Sequence, residues 1–369
     1  MDVGQIFVVV VAVVAPALLV AAAIGARRQQ LALSVLQPTT LDAPLLVVVP
    51  ARNEAARLGP TLQALLADPS PHLRVMVVDD RSTDGTVDVV ERFADPRLEL
   101  LSLSEDPPRG TFGKPRALHR AIAVAEKSEL VAVVDADVVV APGLLGALVR
   151  ARREAGADAV SGLPRLDNPA FIEALLVPAF VAAVGVTHPP AEVNAGKRAF
   201  LNGQLLLVRR ASLDDVGGFE AVSRTVLEDV ELARLFKSLG KKLLLVDARG
   251  LASTRMYVGL QEIVDGFGKN ARALHGDKLV PLALLLASTA WLPWMVVGWS
   301  LLTAGVGDDV VAVLGLLVCV ASAMVNRWRL GSPFWLGLFA PLSQSIVAVV
   351  FLKAAVVRRG SWRGRTFPT

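Results

Sequence analysis

Charge-free apolar runs lie near both ends of the chain, and shorter apolar segments alternate with polar ones between them. The long runs occupy residues 3–26, 279–307, 310–326 and 330–352. A helix needs about 20 predominantly apolar residues to cross the hydrocarbon core of a bilayer. The pattern therefore predicts an N-terminal transmembrane anchor within residues 1–28 and C-terminal membrane segments within residues 279–357. A cleaved signal peptide is the alternative for the first run.

Basic residues beside these runs indicate their orientation. Arg27 and Arg28 follow the first run, and a basic tail occupies residues 358–369. Positive residues concentrate on the cytoplasmic side of membrane proteins, so both places are expected in the cytoplasm. A full crossing by residues 330–352 would put the tail outside, and prolines interrupt that run. A re-entrant or interfacial hairpin therefore remains an alternative there.

The pattern changes between residues 44 and 278. Short β-branched runs predict strands, buried on both faces, at residues 45–49, 75–78, 98–101 and 130–134. Amphipathic segments predict helices at residues 54–67, 84–94, 115–126 and 142–155. This alternation predicts an α/β domain with a mostly parallel sheet. Ligands of such sheets bind beyond the carboxyl ends of the strands, so the residues there carry the most weight.

Composition excludes several classes of protein. The chain is 53% hydrophobic and only 20% charged, which is too apolar for an ordinary soluble enzyme. The single cysteine, Cys319, excludes an internal disulfide, and the four histidines have no metal-ligand spacing. No basic stripe is interleaved with aromatic residues, so no nucleic-acid partner is expected. The basic residues lie beside apolar runs instead, which favours a membrane surface.

Two carboxylates follow the second predicted strand. Asp79 and Asp80 are adjacent, and such groups repel each other unless a ligand or cation is near. We therefore expect them to face a bound base or ribose. The alternative is a role in turn formation and helix capping, which is the interpretation adopted for Asp84 and Gly85.

A second carboxylate pair follows the fourth predicted strand. Asp135 and Asp137 flank one small residue after a very apolar segment, where unpaired charges are costly. Mg²⁺ is commonly held by one or two carboxylates together with substrate phosphates. The tripeptide therefore predicts a site for a divalent cation, Mg²⁺ or Mn²⁺. A loop with two solvated acids is the alternative.

Charged residues also lie at two predicted helix starts. Lys114 is in a glycine-flanked loop, where an ammonium group and free backbone amides suit a diphosphate. A solvated loop lysine is the alternative. Glu228 and Asp229 begin a later helix, where a carboxylate serves either as a cap or as the general base that transfer to a hydroxyl requires.

Taken in order, these segments resemble the inverting family-two glycosyltransferases of the GT-A fold. The resemblance covers roughly residues 45–272. The matching segments are Pro50-Ala51-Arg52-Asn53-Glu54, Asp79-Asp80-Arg81-Ser82-Thr83-Asp84-Gly85, Gly113-Lys114, Asp135-Ala136-Asp137, Gly217-Gly218-Phe219 and Glu228-Asp229. The resemblance implies a Rossmann-like catalytic domain with a mostly parallel sheet, which we place at residues 44–278, between the N-terminal and C-terminal transmembrane helices.

The resemblance also implies roles for these residues and a UDP- or GDP-sugar donor. Asp79 or Asp80 would contact the donor base or ribose, and Asp137 would hold the metal on the diphosphate. Asp135 would lie against the sugar-nucleotide. Asp229, next to Glu228, would be the catalytic base. Pro50, Arg52, Glu54 and Lys114 are the remaining contacts expected on the donor side. Separately from the resemblance, the charges of Arg255 and Lys269 are expected on the acceptor or diphosphate side, facing lipid headgroups or an acceptor phosphate.

One departure from the family pattern narrows the expected activity. Processive synthases of this family carry a Gln-X-X-Arg-Trp motif, but this chain has no tryptophan between residues 45 and 278. The pattern is similar to carotenoid- and hopanoid-associated members. It implies a single transfer to an isoprenoid-like or other membrane lipid, at the cytoplasmic face of a prokaryotic plasma membrane.

Three alternatives to single transfer stay open. The first is a processive polysaccharide synthase, and the second is a nucleotide-binding membrane scaffold without catalysis. The third is a nucleotidyltransferase, which usually carries a glycine-rich loop after its first strand. Residues 50–54 contain no glycine, which disfavours this third alternative.

Overall fold

The chain divides into two compact units, each described by itself. The computed structural model describes residues 33–125, 128–303, 306–329, 331–356, 359–362 and 365–368. The sheet unit comprises Ala32–Asp167 and His188–Met256, and the helical unit includes Asn168–Thr187 and Tyr257–Thr369. The apolar run at residues 3–26, predicted to be an anchor, lies outside the described residues.

An eight-stranded sheet forms the centre of the sheet unit, in the order β1-β10-β7-β9-β5-β2-β3-β4. The strands of this unit are β1 Ser34–Val35, β2 Leu45–Ala51, β3 Leu73–Asp80, β4 Leu98–Leu103, β5 Leu130–Val134, β6 Val138–Val140, β7 Ala159–Leu163, β8 Arg165–Leu166, β9 Leu205–Arg209, β10 Leu243–Asp247 and β11 Ala252–Thr254. Every pairing in the large sheet is parallel except those of β9 with β5 and β7. The predicted α/β fold with a mostly parallel sheet is confirmed.

The strands are buried on both faces, as their apolar sequences predict. In β2, Val47 and Val49 pack into one hydrophobic cluster while Leu46 and Val48 pack into the other. Adjacent residues of a strand point to opposite faces, so a continuous apolar run supplies both clusters. The two clusters form the core of the unit above and below the sheet.

Helices cover both faces of this sheet. Those of the sheet unit are Leu58–Leu66, Thr86–Glu91, Gly113–Val124, Leu144–Ala155, Pro190–Asn194, Arg210–Asp215 and Glu228–Ser238. The first four confirm the predicted helices, with ends shifted by a few residues. Gly143 has a φ of 83° immediately before the helix that begins at Leu144. This left-handed geometry explains why Pro142 precedes that helix instead of lying in its first turn.

The sheet unit also contains a three-stranded sheet, in the order β6-β11-β8, whose strand β6 follows β5 in the chain. Thr254 of β11 is paired with Val138 of β6, and Val138 directly follows Asp137. The small sheet therefore brings the end of β11 beside the predicted metal-binding tripeptide.

The helical unit contains the long apolar helices that the structure describes. Its helices are Phe171–Thr187, Gly259–His275, Leu279–Thr303, Val306–Arg329 and Ala340–Val356, with a 3-10 segment at Phe334–Phe339. Phe180 stacks on Phe267 with ring centroids 4.3 Å apart, and Arg327 donates to the Ala174 carbonyl oxygen at 2.7 Å. These contacts join the helix Phe171–Thr187 to the later helices.

Two helical stretches among the described residues have the length and apolarity needed to cross a membrane. They are Phe171–Asn194, of 24 residues, and Phe334–Val356, of 23 residues. The second covers most of the predicted run at residues 330–352. The helices Leu279–Thr303 and Val306–Arg329 cover the other two predicted C-terminal runs.

Candidate active site

Three charged side chains from distant parts of the sequence meet at one point of the sheet unit. The Lys114 ammonium lies 2.8 Å from Asp135 Oδ1 and 3.0 Å from Glu228 Oε1. Lys114 is in the first turn of the helix Gly113–Val124, Asp135 follows β5, and Glu228 begins the helix Glu228–Ser238. The structure therefore brings together three of the residues that the sequence singled out.

The electrostatics of Lys114 follow from these contacts. Burial alone would lower the pKa of Lys114, but the carboxylates of Asp135 and Glu228 outweigh that effect and raise the pKa. The side chain of Lys114 is still 31% exposed. A permanent positive charge thus lies between two acidic residues and within reach of solvent.

Backbone contacts around two glycines hold Lys114 in place. Gly217 and Gly218 have φ values of 82° and 64°, a left-handed geometry that favours glycine. The next residue, Phe219, is buried in the core of the unit. A few residues later, the Ser223 carbonyl oxygen accepts the N–H of Phe112 at 2.7 Å, immediately before the helix that carries Lys114. The motif Gly217-Gly218-Phe219 therefore has a structural role in this geometry.

Asp229 is fixed by two backbone N–H groups. Gly203 N–H donates to its Oδ2 at 2.7 Å, and Val230 N–H donates to its Oδ1 at 2.8 Å. Burial and the neighbouring charge of Glu228 raise the pKa of Asp229 to about 6, although Lys114 and the two N–H groups act in the opposite direction. A carboxylate with a pKa near neutrality is suited to general-base chemistry.

A tight turn presents Asp135 and Asp137. Val138 N–H donates to the Asp135 carbonyl oxygen at 3.0 Å, and the Thr61 hydroxyl donates to the Ala136 carbonyl oxygen at 2.9 Å. Both aspartates are partly exposed. The turn therefore keeps two carboxylates close together at the open edge of the sheet.

The ligands available for a cation at this turn are the two aspartates. The part of the chain that the structure describes contains no group of three or more His, Cys, Asp or Glu side chains placed to hold a metal ion. One or two carboxylates with substrate phosphates are a usual ligand set for Mg²⁺. The oxygen donors of Asp135 and Asp137 fit that arrangement.

Asp79 and Asp80 have local partners. Arg81 Nε and Nη2 donate to Asp80 Oδ1 at 2.9 and 2.6 Å, and Arg52 lies 3.9 Å from Asp80 Oδ2. Ser82 N–H lies 3.3 and 3.2 Å from the two carboxylate oxygens of Asp79. The two aspartates also occupy successive positions of β3, whose side chains point to opposite faces. The premise that they require a ligand to relieve their repulsion was wrong, because arginines neutralise Asp80.

The loops after β2 and β3 are joined to each other. Asp84 accepts the N–H groups of Ala55 at 3.1 Å and Thr86 at 3.0 Å, which confirms its role in the turn. Burial would raise the pKa of Asp84, but its hydrogen bonds to Thr86 and Ala55 hold that pKa below the usual value. Glu54 N–H donates to the Thr86 hydroxyl at 2.9 Å.

The remaining residues predicted on the donor side lie at the end of β2 and in the loop that follows it. Pro50 is in β2, opposite Val78 of β3, and Arg52 and Glu54 follow within four residues. Arg52 donates to the Asp80 carbonyl oxygen at 2.7 Å. Parallel neighbours end at the same edge of a sheet, so this loop and the Asp135 turn lie at one edge.

The two residues predicted on the acceptor or diphosphate side belong to different units. Arg255 is exposed and directly follows Thr254, the last residue of β11. The pairing of Thr254 with Val138 places the backbone of Arg255 near that of Asp137. Lys269 lies on the helix Gly259–His275 of the helical unit.

Sequence reasoning missed residues that act through the backbone. Gly203 and Gln204 contact Asp229 and the backbone of Asp135 through main-chain groups, which every residue carries. The side chains of Ser161 and Asn202 hold this segment, and none of these residues belongs to a catalytic motif. The one feature of the sequence that could have indicated these residues is the serine in the centre of an apolar strand.

Comparison with known proteins agrees with this geometry. The model of the family "Glycosyltransferase like family 2" matches residues 43–254, more than half of the chain. The probable glycosyltransferase YdaM of Bacillus subtilis is 27% identical over 53% of this chain and 46% of its own length. The succinoglycan biosynthesis protein ExoO of Rhizobium meliloti is 33% identical over 34% of this chain and 41% of its own.

A third relative is named for a lipid-like substrate. The 4,4'-diaponeurosporenoate glycosyltransferase of Staphylococcus aureus is 24% identical over 61% of this chain and 60% of its own length. The chain thus spans about half the length of the curated relatives it matches.

The solved structure of a Pyrobaculum calidifontis mannosyltransferase, in complex with GDP-Man and Mn²⁺, has a similar fold. It is 20% identical, with a TM-score of 0.55 over 92% of this chain and 99% of its own. The family model, the strand order and the strand-end carboxylates agree with one another. The chain belongs to glycosyltransferase family 2 and has the GT-A fold.

Proposed function

We propose that this protein is an inverting glycosyltransferase that transfers a single sugar from a nucleotide-diphosphate sugar to a membrane lipid. The observation that carries the proposal is the arrangement of Lys114 between Asp135 and Glu228, next to Asp229. It combines a carboxylate suited to proton abstraction with a positive charge suited to a phosphate. Both lie at the edge of the sheet where ligands of α/β folds bind.

Asp229 serves as the general base. The hydroxyl oxygen of the acceptor attacks the anomeric carbon of the donor while the bond from that carbon to the β-phosphate oxygen breaks. The hydroxyl proton passes to the Asp229 carboxylate, and the nucleoside diphosphate leaves with the bonding electrons. Attack from the face opposite the leaving group inverts the anomeric configuration.

Asp137 and Asp135 would hold a divalent cation, Mg²⁺ or Mn²⁺, which when bound would supply positive charge to the departing diphosphate. Asp135 contacts Lys114 at 2.8 Å, so the lysine lies close to where the phosphates would bind. The N-terminus of the helix Gly113–Val124 adds backbone N–H groups that favour anions.

The loops after β2 and β3 hold the base and ribose of a UDP- or GDP-sugar. Asp79 or Asp80 accepts from the nucleoside, and Pro50, Arg52 and Glu54 line the same loop. Because Arg81 and Arg52 already compensate the charge of Asp80, Asp79 is the better acceptor for a ribose hydroxyl or a base N–H. Arg255, next in the chain to β11, would contact a phosphate, and we assign Lys269 of the helical unit to the acceptor or diphosphate side because of its charge.

The helical unit holds the enzyme in a membrane, where lipid acceptors are found. Large apolar side chains are exposed on its helices, among them Met295 at 66% and Trp328 at 70%. Exposed apolar surface of this extent is typical of contact with lipid. The anchor predicted at residues 1–28 and the basic residues beside the apolar runs favour an integral membrane protein, which we assign to a prokaryotic plasma membrane. The catalytic domain, residues 44–278, would face the cytoplasm.

Polysaccharide synthesis is the second candidate. The names of the succinoglycan biosynthesis proteins ExoO and ExoU, 33% and 30% identical to parts of this chain, favour it. The lack of tryptophan between residues 45 and 278 disfavours a processive mechanism with the usual polymer-holding motif. Single transfer to a lipid therefore remains the main proposal.

The experiment uses the full-length protein in detergent with a bacterial membrane-lipid extract. UDP-glucose, UDP-N-acetylglucosamine and GDP-mannose are supplied in turn, and release of UDP or GDP is measured. We expect release with at least one donor, stimulation by the lipid extract, and loss of activity in EDTA that Mg²⁺ or Mn²⁺ restores. Release by none of the donors would favour a non-catalytic scaffold, and full activity in EDTA would exclude the cation.

A further inference from the structure

The residues just before β9 contact the carboxylate of Asp229 and the backbone of Asp135 through their own backbone groups. Gly203 N–H donates to Asp229 Oδ2 at 2.7 Å. The next residue, Gln204, accepts the N–H of Asp135 on its carbonyl oxygen at 3.0 Å. Two consecutive residues therefore connect the base to the turn that carries Asp135 and Asp137.

A buried serine fixes this segment from the neighbouring strand. The Ser161 hydroxyl of β7 donates to the Asn202 carbonyl oxygen at 3.0 Å and accepts the Asn202 N–H at 2.7 Å. The Asn202 side chain in turn accepts the N–H of Gln204 at 3.2 Å. Ser161 has no solvent exposure, so water does not compete for these bonds.

Gly203 leaves room for the base. A Cβ added there would lie 3.0 Å from Asp229 Oδ2 and 3.1 Å from Asp229 Cβ. Gly203 is not among the glycines with positive φ. A side chain at this position would therefore press on Asp229 without straining the backbone.

We propose that residues 202–204, held by Ser161, form a positioning clamp that sets the carboxylate of Asp229 relative to Asp135. This inference rests on the proposed function, in which Asp229 takes the acceptor proton. The clamp fixes one carboxylate oxygen while the Val230 N–H fixes the other. A reacting group displaced by about 1 Å can cost on the order of a hundredfold in rate, so a rigid support of this kind has a catalytic effect.

The test compares Gly203→Ala with Gly250→Ala in the full-length protein. Gly250 is in the same unit, has no positive φ, and an added Cβ there would meet no atom within 4 Å. Three quantities are measured for each variant: kcat as a function of pH, the affinity for UDP-glucose or GDP-mannose with Mn²⁺, and the temperature of unfolding.

For Gly203→Ala we expect kcat to fall by about ten- to a hundredfold. Alanine retains the N–H, but its Cβ should push the Asp229 carboxylate away from that N–H, which would weaken the bond and move the acidic limb of the pH profile upward by about one pH unit. The donor affinity should stay that of the starting protein. Gly250→Ala should match the starting protein in all three measurements.

Two other results would contradict the proposed clamp. Equal kcat and pH profiles for the two variants would show that Gly203 does not position the base. A loss of donor affinity with an unchanged pH profile would assign the segment to the donor site instead.

If Gly203→Ala does not fold, Ser161→Ala gives the same test from the other end of the clamp. It should lower kcat and move the acidic limb upward, whereas an unchanged profile in a folded Ser161→Ala variant would contradict the proposal. A failure of the proposed function is distinguishable, because the starting protein itself would then turn over no donor.

Discussion

The protonation state of Asp229 is decided by a small number of neighbours. Burial and Glu228 disfavour the charged form, while Lys114 and the N–H groups of Gly203 and Val230 favour it, with a resulting pKa of about 6. The carboxyl is therefore mostly ionised at neutral pH and able to accept a proton. A protonated Asp229 cannot act as a base, so activity should be lost as the pH falls through this value.

The first prediction concerns this residue. In Asp229→Asn, turnover should fall by roughly 10²–10⁴, because the amide cannot take the acceptor proton. In the unsubstituted protein, kcat should rise with pH through about 6 and then level off. Steady-state kinetics across this pH range, with Asp167→Asn as a partly exposed control, measure both effects. A pH-independent kcat, or loss of donor binding in Asp229→Asn, would contradict the assignment.

Lys114 carries the second prediction. Lys114→Met removes the charge that lies 2.8 Å from Asp135 and 3.0 Å from Glu228. Donor affinity should fall by about tenfold or more, since a charge-assisted bond to phosphate contributes about 1.5–3 kcal/mol. The acidic limb of the kcat profile should move upward, because Lys114 lowers the pKa of Asp229.

Lys241→Met is the matched control for Lys114→Met. Lys241 pairs with Asp215 on the surface, so the two substitutions change the net charge equally. Unchanged donor affinity in Lys114→Met, measured by titration calorimetry with Mn²⁺ present, would remove Lys114 from the donor site.

The helix Leu144–Ala155 packs closely against the backbone of the segment before β2 at one glycine, Gly146. A Cβ at Gly146 would lie 2.1 Å from the Thr39 carbonyl oxygen and 2.6 Å from that of Thr40. The segment before β2 therefore lies directly on the first turn of the helix Leu144–Ala155. Thr39 N–H also donates to the Gly143 carbonyl oxygen at 3.0 Å.

The third prediction follows from that contact. Gly146→Ala should lower the free energy of unfolding by about 1–3 kcal/mol, because backbone atoms must move to admit the methyl group. Gly59→Ala is the matched control, since its added Cβ would meet only Val89 Cγ1 at 3.8 Å. The control should be neutral or slightly stabilising, as alanine favours a helix over glycine. Denaturant titration measures the free energy of unfolding of both variants. Equal unfolding midpoints would contradict the predicted loss of packing at Gly146.

The sequence predicted the elements that follow from local pattern. Strands β2 to β5 and the four helices between β2 and β7 have strong apolar periodicity, and the structure confirms them. The antiparallel insertion of β9 between β5 and β7 was not predicted, because a buried strand has the same apolar pattern in either direction. The small sheet of β6, β8 and β11 was missed for a similar reason, since strands of two or three residues have no measurable period.

The individual residues of the candidate site could be predicted from the sequence, but their contacts with one another could not. Asp135, Lys114 and Glu228 each stood out at a strand end or helix start. Their mutual contacts depend on long connections whose paths the sequence does not specify. The structure also groups the helix Phe171–Thr187 with the helical unit, although strands of the sheet unit precede and follow it in the sequence.

At the scale of the whole molecule, the fourth prediction tests the exposed apolar surface of the helical unit. In a Cys319→Ala background, Met295→Cys should resist a water-soluble maleimide in native membranes and react only after denaturation. Val35→Cys is the control, since Val35 is 62% exposed in the sheet unit, compared with 66% for Met295. The control should react in opened membranes. Equal labelling at both positions would show that water, not lipid, covers the helices.

The central claim is that the whole protein moves one sugar from a nucleotide donor to a lipid with inversion. The most direct measurement is NMR of the anomeric carbon in the product, made by the full-length protein from an isotopically labelled α-linked donor and extracted into organic solvent. The account predicts a labelled sugar in the lipid fraction with β configuration, and none when Asp229→Asn is used. A product with α configuration, or a label found only in water-soluble material, would contradict it.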